Sequence, residues 1–365
     1  MNIETISRIQ FAFTVAFHYI YPPLSIGLGV VLVGMEGLYL KTGNKAYERL
    51  TRFWIKIFAL IFGIGVATGI VMEFEFGTNW ATYSRYVGDI FGSALAAEGI
   101  FAFALESGFL GILLFGWNRV GPKTHFFSTI MVTLGSMFSA VWIVVANSWQ
   151  QTPAGFHIVG AGLKARAEIT DFWAMVFNPS SVDRLLHVWF GSFLAGAFLV
   201  LSVHAYYIYK NKYVEISKKA FKIALTIAVV ASLLQLVTGH HSANGVAVNQ
   251  PAKLAAFEGH YDSLAPANMY LLGFVNQKKQ KVTGIGIPGG LSYLLFQDFK
   301  KPVIGLNAFK EEDRPKQVNF VFQTYHFMVM IGISLIGLSL LASFLLWKNK
   351  IESRNLDESK SHSDI

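Results

Sequence analysis

The sequence predicts an all-α membrane protein, a bundle of about seven transmembrane helices with one long extracytoplasmic loop between helices 6 and 7. Three observations predict it. The chain is 53% hydrophobic and only 14% charged, whereas soluble domains carry roughly a quarter charged residues. Seven apolar stretches approach or exceed the roughly 20 residues that span a bilayer as a helix. Basic residues gather in three of the connections between those stretches, as they do on the cytoplasmic side of membrane proteins.

The stretches are 11–40, 53–76, 91–117, 125–147, 185–209, 220–239 and 320–347. The first is too long for the core of a signal peptide and no small-residue cleavage site follows it, so it is expected to be a retained membrane helix. Residues 41–52 carry Lys41, Lys45, Arg49 and Arg52 against Glu48. Residues 118–124 carry Arg119 and Lys123, and residues 210–219 carry Lys210, Lys212, Lys218 and Lys219 against Glu215. The connection 77–90 holds only Arg85 and Asp89, and 148–184 is balanced. The positive-inside rule then puts the N-terminus outside and the C-terminus inside. Trp80, Trp117, Trp149 and Trp347 fall near helix ends and are expected at the membrane interface. Gly63, Gly65, Gly69, Gly108 and Gly111 are expected to permit close helix approach.

Four segments follow: helices 1 to 6 within 1–239, an extracytoplasmic loop over 240–319, helix 7 over 320–350 and a disordered cytoplasmic tail over 351–365. The loop contains Pro251, Pro266, Pro288, Pro302 and Pro315, and its apolar patches Met269 to Val275 and Leu291 to Phe296 are expected to fold against the membrane domain. A connection that long is functional or disordered. No tandem repeat is evident. The net charge of +8 sits where helices end, so it reads as topology and not as a nucleic-acid surface. The absence of cysteine excludes disulfides, thiolate metal sites, haem c attachment and Cys-ligated iron–sulfur clusters.

The candidate chemistry lies in ionisable groups inside the apolar stretches, where they are costly and mark pathways or cofactors. His18, His187, His204, His326, Glu98 and Glu106 are such groups. His187 falls near the outer surface, and Met328 roughly 12 Å in from Phe320 at about 1.5 Å per residue. The two can flank one planar cofactor, since His plus Met is an axial pair suited to electron transfer. Equally, a His at a helix end reads as an interfacial residue and a Met as packing. His18 can ligate a haem or a metal. Glu98 and Glu106, about 80° apart around a regular helix, form a ladder toward the cytoplasm that suits proton delivery, or are structural acids hydrogen-bonded between helices. Glu73 and Glu75 near the outer interface read as a cap or as functional. The segment Asn249 to Glu258 is a short amphipathic stretch that offers a phenolic substrate an apolar slot, with Lys253 as its cation and Glu258 as general base; alone it also reads as a solvated helix face.

Taken together the chain resembles subunit I of a cytochrome bd-type quinol oxidase. The resemblance runs in order over nearly the whole chain. It is carried by Arg8-Ile9-Gln10-Phe11 leading to His18, Glu73-Phe74-Glu75-Phe76-Gly77-Thr78-Asn79-Trp80, Tyr86-Val87-Gly88-Asp89-Ile90-Phe91-Gly92, Glu98 and Glu106, Arg184-Leu185-Leu186-His187, Gln250 to Glu258, and Phe327-Met328-Val329. It implies that His187 and Met328 are axial ligands of a low-spin haem b, and that His18 ligates one of the high-spin haems, of b or d type. It implies a quinol site at Lys253 and Glu258, with Glu98 near the high-spin pair and Glu106 in the proton path. Such a protein oxidises quinol at the outer face and reduces dioxygen to water. It works with a second membrane subunit in a bacterial or archaeal plasma membrane.

The sequence also departs from that pattern. It lacks the Gly-Arg-Gln-Pro-Trp segment and the two helices that follow the seventh in such proteins, so one high-spin site is not expected to be completed by this chain: the missing part is a separate polypeptide, the chain is a truncated gene product, or it is a divergent subunit with an altered haem set. His326 stands where many relatives carry Arg. Two readings compete with the oxidase: a haem-free proton-coupled transporter using the intramembrane His and Glu as a relay, and a haem-free structural subunit.

Overall fold

The computed structural model describes residues 3–348; the tail expected to be disordered, 351–365, lies outside the described residues. Seven segments are long and apolar enough to cross a membrane: Ile3–Thr42, Lys45–Gly77, Ala81–Phe115, Pro122–Gln151, Ser181–Tyr209, Val214–Asn249 and Glu311–Trp347. The helical bundle that hydropathy predicts is therefore present. The boundaries differ where loops and caps, not hydropathy, set them.

The first apolar stretch is two helices, α1 (Ile3–His18) and α2 (Tyr21–Thr42). The break falls at Tyr19-Ile20, immediately before a Pro22-Pro23 pair at the start of α2. Proline is at home in a helix's first turn and cannot continue a preceding one. Next come α3 (Lys45–Gly77), capped by the Asn44 side chain accepting from Ala46 N–H, α4 (Ala81–Ala97) and α5 (Ala104–Phe115). Between α4 and α5 the backbone winds as a π-helix over Glu98–Phe103. Then follow α6 (Pro122–Gln151), the strands β1 (Phe156–Val159) and β2 (Arg166–Ile169), α7 (Phe172–Val176) and α8 (Ser181–Tyr209). The chain continues with α9 (Val214–Asn249), α10 (Pro251–Phe257), β3 (Met269–Asn276), β4 (Lys281–Ile287), α11 (Gly290–Phe296) and α12 (Val318–Trp347). The two antiparallel hairpins, β1–β2 and β3–β4, were not legible as membrane spans because they lie in the connections.

The chain divides into two compact units, one holding the described residues up to Leu234 and those from Ser339 onward, the other Gln235–Leu338. In the first, α2 is the central helix and packs on α3, α6 and α8. It buries Ser25 through Gly29, Val31, Leu32, Met35 and Glu36. Its crossing with α8 is backbone on backbone: a Cβ on Gly27 would lie 2.1 Å from the Ser192 carbonyl oxygen, and one on Gly196 would lie 2.2 Å from the Gly27 carbonyl carbon. Small residues at a crossing let helices approach where lipid offers no hydrophobic drive. Of the glycines expected to do this, Gly65 and Gly69 lie close to a neighbouring helix, at 3.3 Å from Tyr21 Cβ and 3.4 Å from His18 Cε1, while nothing lies within 4 Å of a Cβ built on Gly63, Gly108 or Gly111. Sequence spacing cannot say which face of a helix meets a neighbour.

The β1–β2 hairpin, registered Phe156↔Ile169 to Val159↔Arg166, packs with α4, α6 and α7 around Val87, Ile90, Phe91, Trp149, Ala167 and Met175. Two tryptophans expected at the interface are in fact interior: Trp80 is 6% and Trp149 4% exposed. Their indole N–H groups are satisfied inside, Trp80 donating to Gln10 Oε1 at 2.9 Å and Trp149 to the Ala154 carbonyl at 3.0 Å. A satisfied N–H removes the reason for the ring to seek water.

In the second unit the β3–β4 hairpin is stapled to α12 along one helix face. Asn319 accepts from Val275 N–H at 2.8 Å, Gln323 donates to the Gly273 carbonyl at 2.7 Å, and His326 Nε2 meets the Tyr270 carbonyl at 2.8 Å. Those three positions are four and three residues apart, which is one side of an α-helix. The apolar patches expected to fold on the membrane domain form β3 and α11 within this unit.

Candidate functional site

The residues singled out by the sequence fall into three settings. The first is His18 at the end of α1. Its Nδ1 lies 2.9 Å from Thr68 Oγ1 on α3, and the same hydroxyl donates to the Ile64 and Gly65 carbonyls at 3.0 Å each. Thr68 has one proton to give, and when it goes to a carbonyl the hydroxyl accepts from His18 Nδ1–H, the tautomer that leaves Nε2 bare. A ligating histidine needs that tautomer, fixed by a partner on the other nitrogen. Across α3 from it, a Cβ on Gly69 would approach His18 Cε1 at 3.4 Å, so the ring lies flush against α3. Among the described residues no three His, Asp or Glu side chains converge as a ligand set for a bare metal ion. His18 fits a group that brings its other ligands with it, as haem does.

The second setting is the π turn. The wider i→i+5 winding marks functional positions more often than not, and it rotates less per residue than the regular helix assumed for the sequence. Both glutamates consequently face α6. Glu98 accepts from Ser139 Oγ at 2.5 Å. Glu106, 6% exposed, lies against Gly135, where a Cβ would come within 2.4 Å of Glu106 Cγ. Glu73 is an electrostatic neighbour of Glu98, and Glu98 of Glu106, so three acids form one row. The acids at the end of α3 do not cap it with their side chains: the Glu75 carbonyl accepts from Thr78 and Trp80 N–H, and Glu75 Oε2 is buried without a hydrogen-bond partner.

The third setting is the loop segment. Pro251 starts α10 and Gly259 ends it in the left-handed conformation, at φ +62°. A side chain there would also strike Val282 at 2.7 Å and Val275 at 2.8 Å. Glycine thus both reverses the chain and lets Val275 and Val282 of the hairpin pack against the backbone directly after Glu258. Glu258 is 5% exposed and its Oε2 has no partner. Burial pushes its carboxyl up to about 7, because the charged form loses water and gains nothing in return. Lys253 Nζ lies 3.3 Å from Gln250 Oε1 and 5.8 Å from the centre of the Phe257 ring. Phe257 stacks on Tyr325 of α12 at 4.4 Å with 5° between the ring planes. Lys253 and Phe257 line a cavity of about 450 Å³ with Gln250, Phe309, Asp313 and Val321. A slot of that size with apolar walls and few polar groups is the usual form of a small-molecule site.

His187 is half-buried in α8 of the first unit, and Met328, 56% exposed, lies on α12 of the second. His326 uses both ring nitrogens on carbonyls, those of Phe322 and Tyr270. Two residues further on, at about 100° per residue, Met328 points away from that stapled face. His204 is a structural histidine: Trp54 donates to its Nε2 at 3.0 Å and its Nδ1 meets Ser217 at 3.1 Å.

Sequence reasoning missed Thr68, Ser139 and a buried polar group on α2 and α6. There Glu36 Oε1 lies 2.6 Å from His125 Nδ1, Glu36 Oε2 accepts from Thr129 at 2.6 Å, and His125 Nε2 meets the Leu113 carbonyl at 3.1 Å. Glu36 and His125 are 1% and 2% exposed. The signal was available, since Glu36 is the lone acid in the first apolar stretch.

Comparison with known proteins adds the lineage. The profile of the family described as cytochrome bd terminal oxidase subunit I matches residues 6–358. Cytochrome bd ubiquinol oxidase subunit 1 of Bacillus subtilis (strain 168) is 38% identical over 363 residues, 97% of this chain and 77% of the relative. Cytochrome bd-II ubiquinol oxidase subunit 1 of Escherichia coli (strain K12) is 40% identical over 317 residues, covering 86% of this chain and 61% of that protein. A putative cytochrome bd menaquinol oxidase subunit I, also from B. subtilis, is 31% identical over 96% of this chain and 79% of its own length. The bd oxidase structure from Geobacillus thermodenitrificans superposes with a TM-score of 0.85 at 28% identity, over 92% of this chain and 77% of that one. With seven apolar helices, a family profile matched almost end to end and relatives that are quinol oxidase subunits, the chain belongs to the cytochrome bd terminal oxidase subunit I family and is an oxidoreductase subunit that acts within a membrane complex.

Proposed function

We propose that this chain is the haem-bearing subunit that oxidises quinol at the outer membrane face and passes the electrons inward to a site of dioxygen reduction, in complex with a second membrane subunit. The observation that carries the reading is Glu258, a buried carboxyl with an unpartnered oxygen and an affinity for protons shifted to about 7, at the end of a helix that lines a slot of about 450 Å³. A general base works best when it titrates near the operating pH. Lys253, in the lining of the slot, fixes the ring oxygen that carries negative charge, Phe257, backed by the stacked ring of Tyr325, gives it an apolar wall, and Glu258, directly after Phe257 and not itself in the lining, takes the phenolic proton. Lys253 and Glu258 are thus the quinol residues.

His187 and Met328 would hold the low-spin haem b, and His18 one of the high-spin haems, of b or d type. Bound haem would supply the one-electron redox chemistry that no side chain here can perform, and a His and Met donor set suits transfer of electrons. Glu106 and Glu98 receive protons from the cytoplasmic side and present them beside Ser139 for water formation. Protons taken from quinol by Glu258 leave on the outer side, so the reaction separates charge without a pump.

The test is a Glu258→Ala variant of the purified complex. Quinol oxidation is expected to fall by a factor of about 10² to 10⁴, the span of general-base contributions, with the reduced-minus-oxidised haem spectrum unchanged. Wild-type turnover in that variant removes Glu258 from the mechanism.

A further inference from the structure

Away from the redox site, a second cavity of about 1000 Å³ opens between α2, the start of α3 and the first three turns of α9. Three lysines of α9 line it, Lys218, Lys219 and Lys222, with Tyr47 of α3. Leu38, Val214 and Ile223 give it an apolar wall, beside the polar Asn211 and Thr226. Its acid is Glu215, which pairs with Lys218 at 3.5 Å from an 87% exposed position. Lys218 itself has only 17% of its side chain exposed, unusual for a lysine. Lys219 is held over the Tyr47 ring at 5.5 Å. The lining carries three cations against one anion.

Lys218 and Lys222 are four residues apart on one helix face, a spacing at which like charges repel. Holding the half-buried Lys218 beside the exposed Lys222 at the mouth of the recess costs free energy that an anion seated between the two ammonium groups offsets. The cavity also lies at the end of an apolar helix, on the face to which the basic connections 41–52, 118–124 and 210–219 assign the cytoplasm. There the membrane surface is rich in anionic lipid, and basic pockets between helices take up headgroups. A free phosphate or a nucleotide would use the ammonium groups but leave the Leu38, Val214 and Ile223 wall uncovered. A diacyl phosphodiester uses both.

We propose that this cavity binds the headgroup of an anionic glycerophospholipid of the cytoplasmic leaflet, with Lys218 and Lys222 on the phosphate and Leu38 and Ile223 against the upper acyl chains. The proposal is independent of the quinol and haem assignments.

The test uses the purified complex in vesicles of phosphatidylcholine doped with phosphatidylglycerol. Lipid retained after detergent exchange is counted by native mass spectrometry. Wild type is expected to keep phosphatidylglycerol over phosphatidylcholine. A K218Q/K222Q variant is expected to retain it roughly 25-fold less well, from the usual contribution of two lysines at an anionic surface, and K218R/K222R to behave as wild type. An unchanged haem spectrum in both variants shows that the fold is intact. Equal retention by wild type and K218Q/K222Q overturns the proposal, as does preference for phosphatidylcholine. Displacement of the lipid by millimolar inorganic phosphate overturns the lipid assignment and makes the cavity a small-anion site.

Discussion

Replacing Glu258 with Gln separates catalysis from stability, and the structure gives both magnitudes. The carboxyl is buried and titrates near 7, whereas an ordinary glutamate titrates at about 4.3. Between those values the folded protein binds a proton that the unfolded chain does not, so stability is full below the lower value and is lost as pH rises through the upper one. At about 1.4 kcal/mol per pH unit, keeping the carboxylate buried at pH 8 costs about 3 to 4 kcal/mol. Gln keeps the shape and abolishes the charge. Glu258→Gln is therefore expected to melt at a higher temperature than wild type at pH 8 and at the same temperature near pH 4. Its quinol oxidation should nevertheless be at least about a hundredfold slower. In the wild type the base must be deprotonated, so the rate should rise with pH through about 7. At pH 6 only about a tenth of the carboxyls are deprotonated, which places the rate roughly tenfold below its alkaline plateau. Melting of the purified complex at two pH values and a pH profile of quinol oxidation check this. A variant less stable than wild type at pH 8, or one whose turnover keeps the wild-type pH profile, refutes the reasoning.

Other expectations follow from single contacts. His187→Ala or Met328→Leu should each remove the low-spin haem b signal from the reduced-minus-oxidised spectrum; an unchanged spectrum in both rejects the axial pair. Thr68→Val takes away the acceptor that fixes His18 at 2.9 Å, and by the usual effect of such partners should weaken haem retention about 10- to 100-fold. Pyridine haemochrome counting would show it, and a full haem complement would argue that the tautomer is set otherwise. Glu36→Gln breaks a pair in which Glu36 and His125 are 1% and 2% exposed. Removing one partner of a buried pair costs about 3 to 5 kcal/mol, so the complex should melt well below wild type, and an unaltered melting temperature would show that the pair adds nothing. Gly196→Ala puts a methyl 2.2 Å from the Gly27 carbonyl carbon and should destabilise the α2–α8 crossing, whereas Gly108→Ala, with open space around it, should be tolerated.

The sequence by itself determined the membrane class, the seven candidate crossings and which ionisable side chains stand in apolar surroundings. Hydropathy and charge act locally: a run of 20 apolar residues must cross or be buried wherever its neighbours lie, and a charge inside it must have a purpose or a partner. His18, Glu98 and Glu106 were legible for that reason, and Glu258 as the carboxylate of a short amphipathic segment in the long loop. Tertiary structure decided what composition leaves open. Pro22 and Pro23 split a stretch that hydropathy reads as continuous. A π turn moved Glu98 and Glu106 onto one face toward α6, which the 100° rule could not anticipate. The glycines at the tightest helix crossings are Gly27, Gly135 and Gly196, chosen by which faces meet and not by spacing. Thr68 acquires its role only because α1 and α3 lie side by side. The Glu258 carboxyl is pushed up to about 7 because the folded chain buries it, and burial is a property of the whole fold.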